Sequence, residues 1–204
     1  MHIRKSKKIL FYFFLFLIIG TLNNKSLNNL QFPRINEISV SGLSEEENFR
    51  ILEDLSMYKV YNLFFLKKFE IDKSFKQYDY LESFFVQKKY PSSLEVKLVR
   101  AKPLAYITKN NQMFYIGSNR NLIEVKNQKK KLPFIFGDLS VEQFFIFKET
   151  IKKSNFEYIE IKNLFFFPSG RWDIETLSGV LIKFPKLKLL ESLNLSVDLL
   201  KDQN

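Results

Sequence analysis

The 204-residue chain is long enough for one or two domains and carries a net charge of +10. It has no cysteine, which excludes disulfides, thiolate metal sites and cysteine nucleophiles. Its one histidine is His2, which excludes a serine–histidine hydrolase and a multi-histidine metal site.

Enzyme readings therefore lose most of their usual machinery, and the expectation is a chain with no cofactor and no small-molecule substrate. The positive charge points to solvation and membrane proximity and not to nucleic acid, because Lys and Arg are interspersed with Asp and Glu instead of forming a stripe.

Residues 1–8 form a basic tail with Arg4, Lys5, Lys7 and Lys8, followed by the uncharged run 9–22, ILFYFFLFLIIGTL. As a helix those 14 residues cover only about 21 Å of a hydrocarbon layer about 30 Å thick. Snorkelling lysines and flanking polar residues extend the reach, and Asn23 to Asn28 offers no small-x-small cleavage site. The expectation is an uncleaved transmembrane anchor. Its basic end stays cytoplasmic by the charge asymmetry, and the bulk of the chain lies on the far side.

After a polar linker at 23–34, Ile35, Ile38 and Val40 mark a strand ending at Ser41-Gly42. Ser44 to Glu47 reads as a capping box opening a helix whose buried face is Phe49, Leu52 and Leu55. Its three acids suit the positive end of the helix dipole better than a metal. Tyr58 to Leu66 reads as a loop, and Ile71, Phe75 and Tyr78 sit at helical spacing.

Phe84 to Ala105 is a hairpin and its exit. Phe84 and Val86 share one face of the first arm, and Leu94, Val96 and Leu98 alternate with Glu95 and Lys97 along the second. Between them Tyr90-Pro91-Ser92-Ser93 suits a type I turn, with proline at its second position. Pro103 stops the ladder because it has no amide proton. Lys88, Lys89 and Tyr90 at the turn are candidate partner contacts.

From Leu104 onward the pattern gives short strands at Leu104–Thr108, Met113–Ile116 and Leu122–Val125. Ser140 to Gln143 is a second capping box, for a helix with Val141, Phe144, Phe145, Phe147 and Ile151 on its apolar face. Further strands follow at Tyr158–Leu164, Arg171–Thr176 and Val180–Phe184, then a helix carrying Leu190, Leu193, Val197 and Leu200. Asp173 and Glu175 project to one side of a strand, as paired catalytic carboxylates would. Without an apolar pocket or a partner base, a solvated strand face explains them better.

Taken in order, these features resemble the bacterial cell-division family FtsQ, called DivIB in other bacteria. They are the basic N-terminus and single anchor, Val40-Ser41-Gly42, Asn62-Leu63-Phe64, Lys89-Tyr90-Pro91-Ser92-Ser93-Leu94, Pro103-Leu104-Ala105, Leu132-Pro133 to Gly137, and the hairpin of Gly170-Arg171-Trp172-Asp173 with Ser178-Gly179-Val180. On this resemblance Gly42, Tyr90, Pro91, Pro103, Ala105, Arg171, Trp172 and Gly179 are the residues of the family's structural motifs. Two departures stand out: Arg100-Ala101 replaces Glu-Arg before the proline, and Gly117 and Arg120 replace the aspartate and glycine of an Ile-Asp-x-x-Gly turn.

The resemblance implies an α+β chain. Its parts are a transmembrane helix, a polypeptide-transport-associated (POTRA) domain of order β-α-α-β-β at 35–103 with Pro103 as hinge, and a second mixed domain at 104–204 with a mainly antiparallel sheet and helices. It also implies a non-enzymatic inner-membrane scaffold of the divisome, concentrated at the division site, linking early division proteins to the FtsB and FtsL pair during septum formation. The family's final strand, where FtsB would add a strand, has no counterpart before Asn204. Either the chain is a fragment or the docking edge is the strand of Val180 and Ile182 or its neighbours. The alternative is an accessory of protein translocation or outer-membrane assembly. Proteins of that kind carry such units in series ahead of a barrel, whereas one unit is legible here.

Overall fold

The computed structural model of the protein describes residues 3–22, 33–125 and 131–201. Helix α1 (Ile3–Leu22) carries the apolar run. Its side chains from Ile9 to Ile19 are exposed, and none of them joins either hydrophobic core. Among the described residues no helix is long and apolar enough to cross a membrane, because only the stretch from Ile9 onward is free of charge. Most of the linker expected at 23–34 lies outside the described residues.

The next segment folds as β1 (Glu37–Ser41), α2 (Glu45–Leu55), a short 3-10 turn (Ser56–Val60), α3 (Lys68–Phe75), β2 (Leu81–Lys89) and β3 (Ser93–Arg100). The strand-helix-helix-strand-strand order matches the expectation for 35–103. The sheet order is β1-β3-β2, with β1 parallel to β3 and β2 antiparallel to it. The alternation read from sequence sets the register: Phe84 faces Leu98 and Val86 faces Val96. Leu94, Val96 and Leu98 are buried against the helices.

Three local expectations need correction. The buried stripe of α2 is Ile51 and Leu55 with Leu52 beside it, whereas Phe49 is exposed. Leu52 and Leu55 hold their expected places, and Ile51 takes the one expected for Phe49. Ser93, expected in the turn, is the first residue of β3 and pairs with Lys89, and the Tyr90–Pro91 peptide is cis. Pro103 does not close the preceding ladder. Strand β3 ends at Arg100, and Pro103 is the first residue of the next strand, a position that tolerates a missing donor.

The remaining elements are β4 (Pro103–Lys109), β5 (Gln112–Gly117), β6 (Leu122–Glu124), β7 (Phe134–Phe136), α4 (Val141–Lys153), β8 (Ile161–Phe166), β9 (Trp172–Thr176), β10 (Leu181–Phe184) and α5 (Leu189–Lys201). They form one mixed sheet of order β10-β9-β8-β7-β4-β5-β6, parallel only at β4–β7 and β7–β8. The residues expected to begin β8, Tyr158 to Glu160, are a 3-10 turn instead.

Helix α4 opens with the predicted capping box, in which the Gln143 amide donates to Ser140 Oγ at 3.2 Å and the Ser140 amide to Gln143 Oε1 at 2.7 Å. Its Phe144, Phe147 and Ile151 enter the core with Leu193 of α5. Trp172 stacks on Phe147 with ring centroids 4.0 Å apart and meets Phe166 at 4.9 Å.

Candidate interaction surfaces

The first surface is the β10 edge. Strand β10 pairs with β9 on one side only, through Leu181–Glu175, Ile182–Ile174, Lys183–Asp173 and Phe184–Trp172. The Thr176 amide donates to the Val180 carbonyl at 2.9 Å, which sets the alternation along β10. Val180 and Ile182 direct their backbone toward β9, and Leu181 and Lys183 direct theirs outward. Val180 itself precedes the strand and is exposed, while Ile182 packs against the core. Gly179 turns the chain with φ of 88° in open space.

On β9 the paired-carboxylate expectation changes. Asp173 is buried, not solvated, and Arg171 lies along it, with Nε 3.0 Å from Oδ1 and Nη2 donating to Oδ2 at 3.2 Å. The guanidinium also covers the Phe167 ring at 4.3 Å. Glu175 accepts from Lys162 at 2.8 Å and Asn163 at 2.7 Å, and these two partners hold its carboxyl below the usual carboxylate range. Each carboxylate is thus tied to its own cation. Among the described residues no group of three or more His, Cys, Asp or Glu is placed to hold a metal.

The second surface is the junction between the two sheets, which sequence reasoning missed. The turn from Gly117 to Asn121 reaches back onto the segment between α3 and β2. Asn119 Nδ2 donates to the Asp79 carbonyl at 2.7 Å and the Leu81 carbonyl at 2.8 Å, and Asn121 Nδ2 to the Asp79 carbonyl at 3.3 Å. The Asn121 amide returns a bond to Asn119 Oδ1 at 3.1 Å. Ser118 accepts from the Lys102 amide at 2.8 Å and donates to Glu82.

The departure at Arg120 fits here. It holds φ of 66° where the family resemblance places glycine, and its guanidinium pairs with Glu142 at 2.6 Å over the Phe145 ring. The clustering of Ser118, Asn119 and Asn121 was the available signal, since short amide side chains bond to nearby backbone.

Beside this junction lies a cleft of about 610 Å³ lined by Glu47, Arg50, Asp79, Arg100, Tyr115 and Glu124 among others. Arg100, the second departure, pairs with Glu47 in the first turn of α2. Burial pushes the Glu47 carboxyl up, but Arg100 and Ser44 outweigh it and hold it below the usual range.

The third surface is the turn after β2. Lys88 is not a free cation, because its Nζ donates to the Leu66 carbonyl at 2.6 Å. Lys89 pairs with Glu95 at 2.6 Å and holds that carboxyl below its ordinary value, while Tyr90 is exposed. Gly42 adopts φ of 109°, where an added Cβ would lie 1.9 Å from the Leu98 carbonyl oxygen, and Ala105 is fully buried in β4.

These features define a two-unit α+β protein with an open sheet edge and a hydrogen-bonded junction. No family model matches the chain. It is 24% identical over 170 residues to cell division protein FtsQ of Rickettsia prowazekii (strain Madrid E), and 23% identical over 170 residues to that of Rickettsia typhi (strain ATCC VR-144 / Wilmington). Each match takes in 79% of this chain and 63% of the relative, so the chain spans under two thirds of the curated relatives it matches.

A solved structure, the major extracytoplasmic domain of the trans isomer of the bacterial cell division protein DivIB from Geobacillus stearothermophilus, aligns at 12% identity. It covers 52% of this chain and 97% of its own, with a TM-score of 0.36. The chain is similar in sequence to cell division protein FtsQ.

Proposed function

We propose that this chain acts in cell division as a non-enzymatic scaffold held at the inner membrane, with its N-terminus cytoplasmic and its two folded units on the far side. The observation that carries the reading is the match to cell division protein FtsQ over 170 residues, reaching across 79% of the chain. The β1-β3-β2 sheet under two helices supports reading the first unit as a POTRA-like module.

The anchor is α1. Its uncharged stretch from Ile9 covers about 21 Å, and Lys7 and Lys8 snorkelling to the headgroups, with the polar residues that follow, extend the reach. An apolar helix exposed around its whole circumference is supported by lipid and not by water.

Partners of the FtsB and FtsL kind, and other divisome components, dock on the second unit. The outward backbone of Leu181 and Lys183 on β10 offers the donors and acceptors that an added strand needs. Lys183→Pro removes one outward amide without touching the β9 ladder. In a pull-down with FtsB-like and FtsL-like proteins, the parent chain captures the pair and Lys183→Pro loses it while keeping its circular dichroism. Equal capture by both would sink the docking edge.

A further inference from the structure

The end of the first unit where the chain enters from α1 gathers exposed aromatics and lysines. Arg34 forms an antiparallel bridge with Asn62, the Ile35 amide donates to the Tyr61 carbonyl at 3.1 Å, and the Asn36 amide to the Ser92 carbonyl at 2.9 Å. The entering strand therefore runs between the 61–66 loop and the Tyr90 turn. Lys88 ties the same two features together through Leu66.

Around this entry point Phe65 is 66% exposed, Phe69 73% and Tyr90 63%, with Phe64 exposed beside them, while Leu63 and Leu66 anchor the loop in the core. Lys59, Lys67 and Lys68 are exposed in the same segment. Of the neighbouring acids Glu95 pairs with Lys89, while Glu70 accepts from the Lys67 amide at 3.4 Å and Glu37 from Ser93 at 3.3 Å and both keep their charge, so the three lysines face two uncompensated acids. Exposed aromatics interleaved with lysines are the side chains that favour the layer between hydrocarbon and water. The ten residues 23–32 join this end to α1, and ten extended residues reach at most about 35 Å.

We propose that this entry end is a membrane-contacting surface, with Phe64, Phe65, Phe69 and Tyr90 in the interfacial layer of an anionic bilayer and Lys59, Lys67 and Lys68 on its headgroups. The proposal rests on the reading that α1 enters the membrane, and goes beyond it by fixing which face of the first unit lies on the lipid.

The chain has no cysteine, so single-cysteine variants carry one environment-sensitive fluorophore each. The full chain is reconstituted into phosphatidylcholine vesicles with and without phosphatidylglycerol, labelled at Phe13→Cys in α1, at Phe65→Cys, or at Leu177→Cys on the distant β9–β10 turn. With anionic vesicles the Phe13 and Phe65 labels shift to the blue and are quenched by a lipid-borne quencher, and the Leu177 label is not.

Each lysine on an anionic surface changes the ratio of bound to free by roughly fivefold, so the Lys59→Gln, Lys67→Gln, Lys68→Gln triple variant lowers that ratio at Phe65 by about two orders of magnitude. A quenched Phe13 label with a Phe65 label that behaves like Leu177 overturns this inference and leaves the anchor standing. An unquenched Phe13 label overturns both. A Phe65 label shielded by raising the concentration of detergent-dispersed chain, but not by lipid, makes the patch a contact between copies and also overturns it.

Discussion

Replacing Gly42 by alanine tests whether the first unit is closed where β1 meets β3. The added Cβ would lie 1.9 Å from the Leu98 carbonyl oxygen, 2.9 Å from its carbonyl carbon and 3.0 Å from its nitrogen, all backbone atoms that cannot swing aside. An unstrained carbon–oxygen contact is about 3.3–3.6 Å, so the strands must part by roughly 1.4 Å next to the Val40–Val96 and Ser41–Lys97 pairs. Losing two ladder hydrogen bonds costs about 1–3 kcal/mol. Forcing alanine to a φ near 109° adds about 1–3 kcal/mol.

A unit of this size is stable by about 4–10 kcal/mol, so a loss of about 2–6 removes much of it and lowers the urea midpoint by roughly 2 M. Gly179→Ala is the control. Its φ is also positive, at 88°, but nothing lies within 4 Å, and only the backbone cost of about 1–2 kcal/mol remains. Far-UV circular dichroism follows both units during urea unfolding, and the one tryptophan, Trp172, follows the second unit alone. Gly42→Ala shifts the dichroism component that the fluorescence does not report. A midpoint within about 0.3 M of the parent would refute the close approach.

Other residues give separable tests. Trp172→Ala empties the space beside Phe147 and Phe166 and costs about 3–5 kcal/mol, read as early unfolding of the second unit by dichroism. Asn119→Ala removes its two bonds to the first unit and lowers the coupling between units by about 1–3 kcal/mol, seen as the first unit's dichroism transition moving further from the Trp172 fluorescence transition. The lowered Glu47 carboxyl means that the unfolded chain binds its proton more tightly. The Glu47–Arg100 contribution is therefore full above the ordinary carboxylate range and is lost as pH falls through the lowered value. Arg100→Ala then moves the acid-unfolding midpoint upward.

Much of the fold was legible because its signals are local. The alternation of Leu94, Val96 and Leu98 placed the first sheet's register, and the Ser140–Gln143 box placed the start of α4. What failed depended on neighbours. Phe49 lies outward because α2 turns Ile51 and Leu55 to the sheet, a choice of phase that three or four apolar residues in one short helix leave open. Asp173 is buried because Arg171 neutralises it, and two residues of charge pattern do not reveal that burial.

The candidate site was half legible. The strand after the Ser178-Gly179 turn was expected, but its place at the edge of the sheet comes from the strand order, which no local signal carries. The junction made by Asn119 and Asn121 joins residues about forty positions apart, beyond any periodic signal.

The central claim, a role in division, is tested most directly in the cell that makes the protein. Depleting the chain while following a fluorescent fusion of it should give filamentous cells, with the remaining fusion gathered at midcell. A fusion spread evenly around the periphery, in cells that divide at normal length during depletion, would contradict the account.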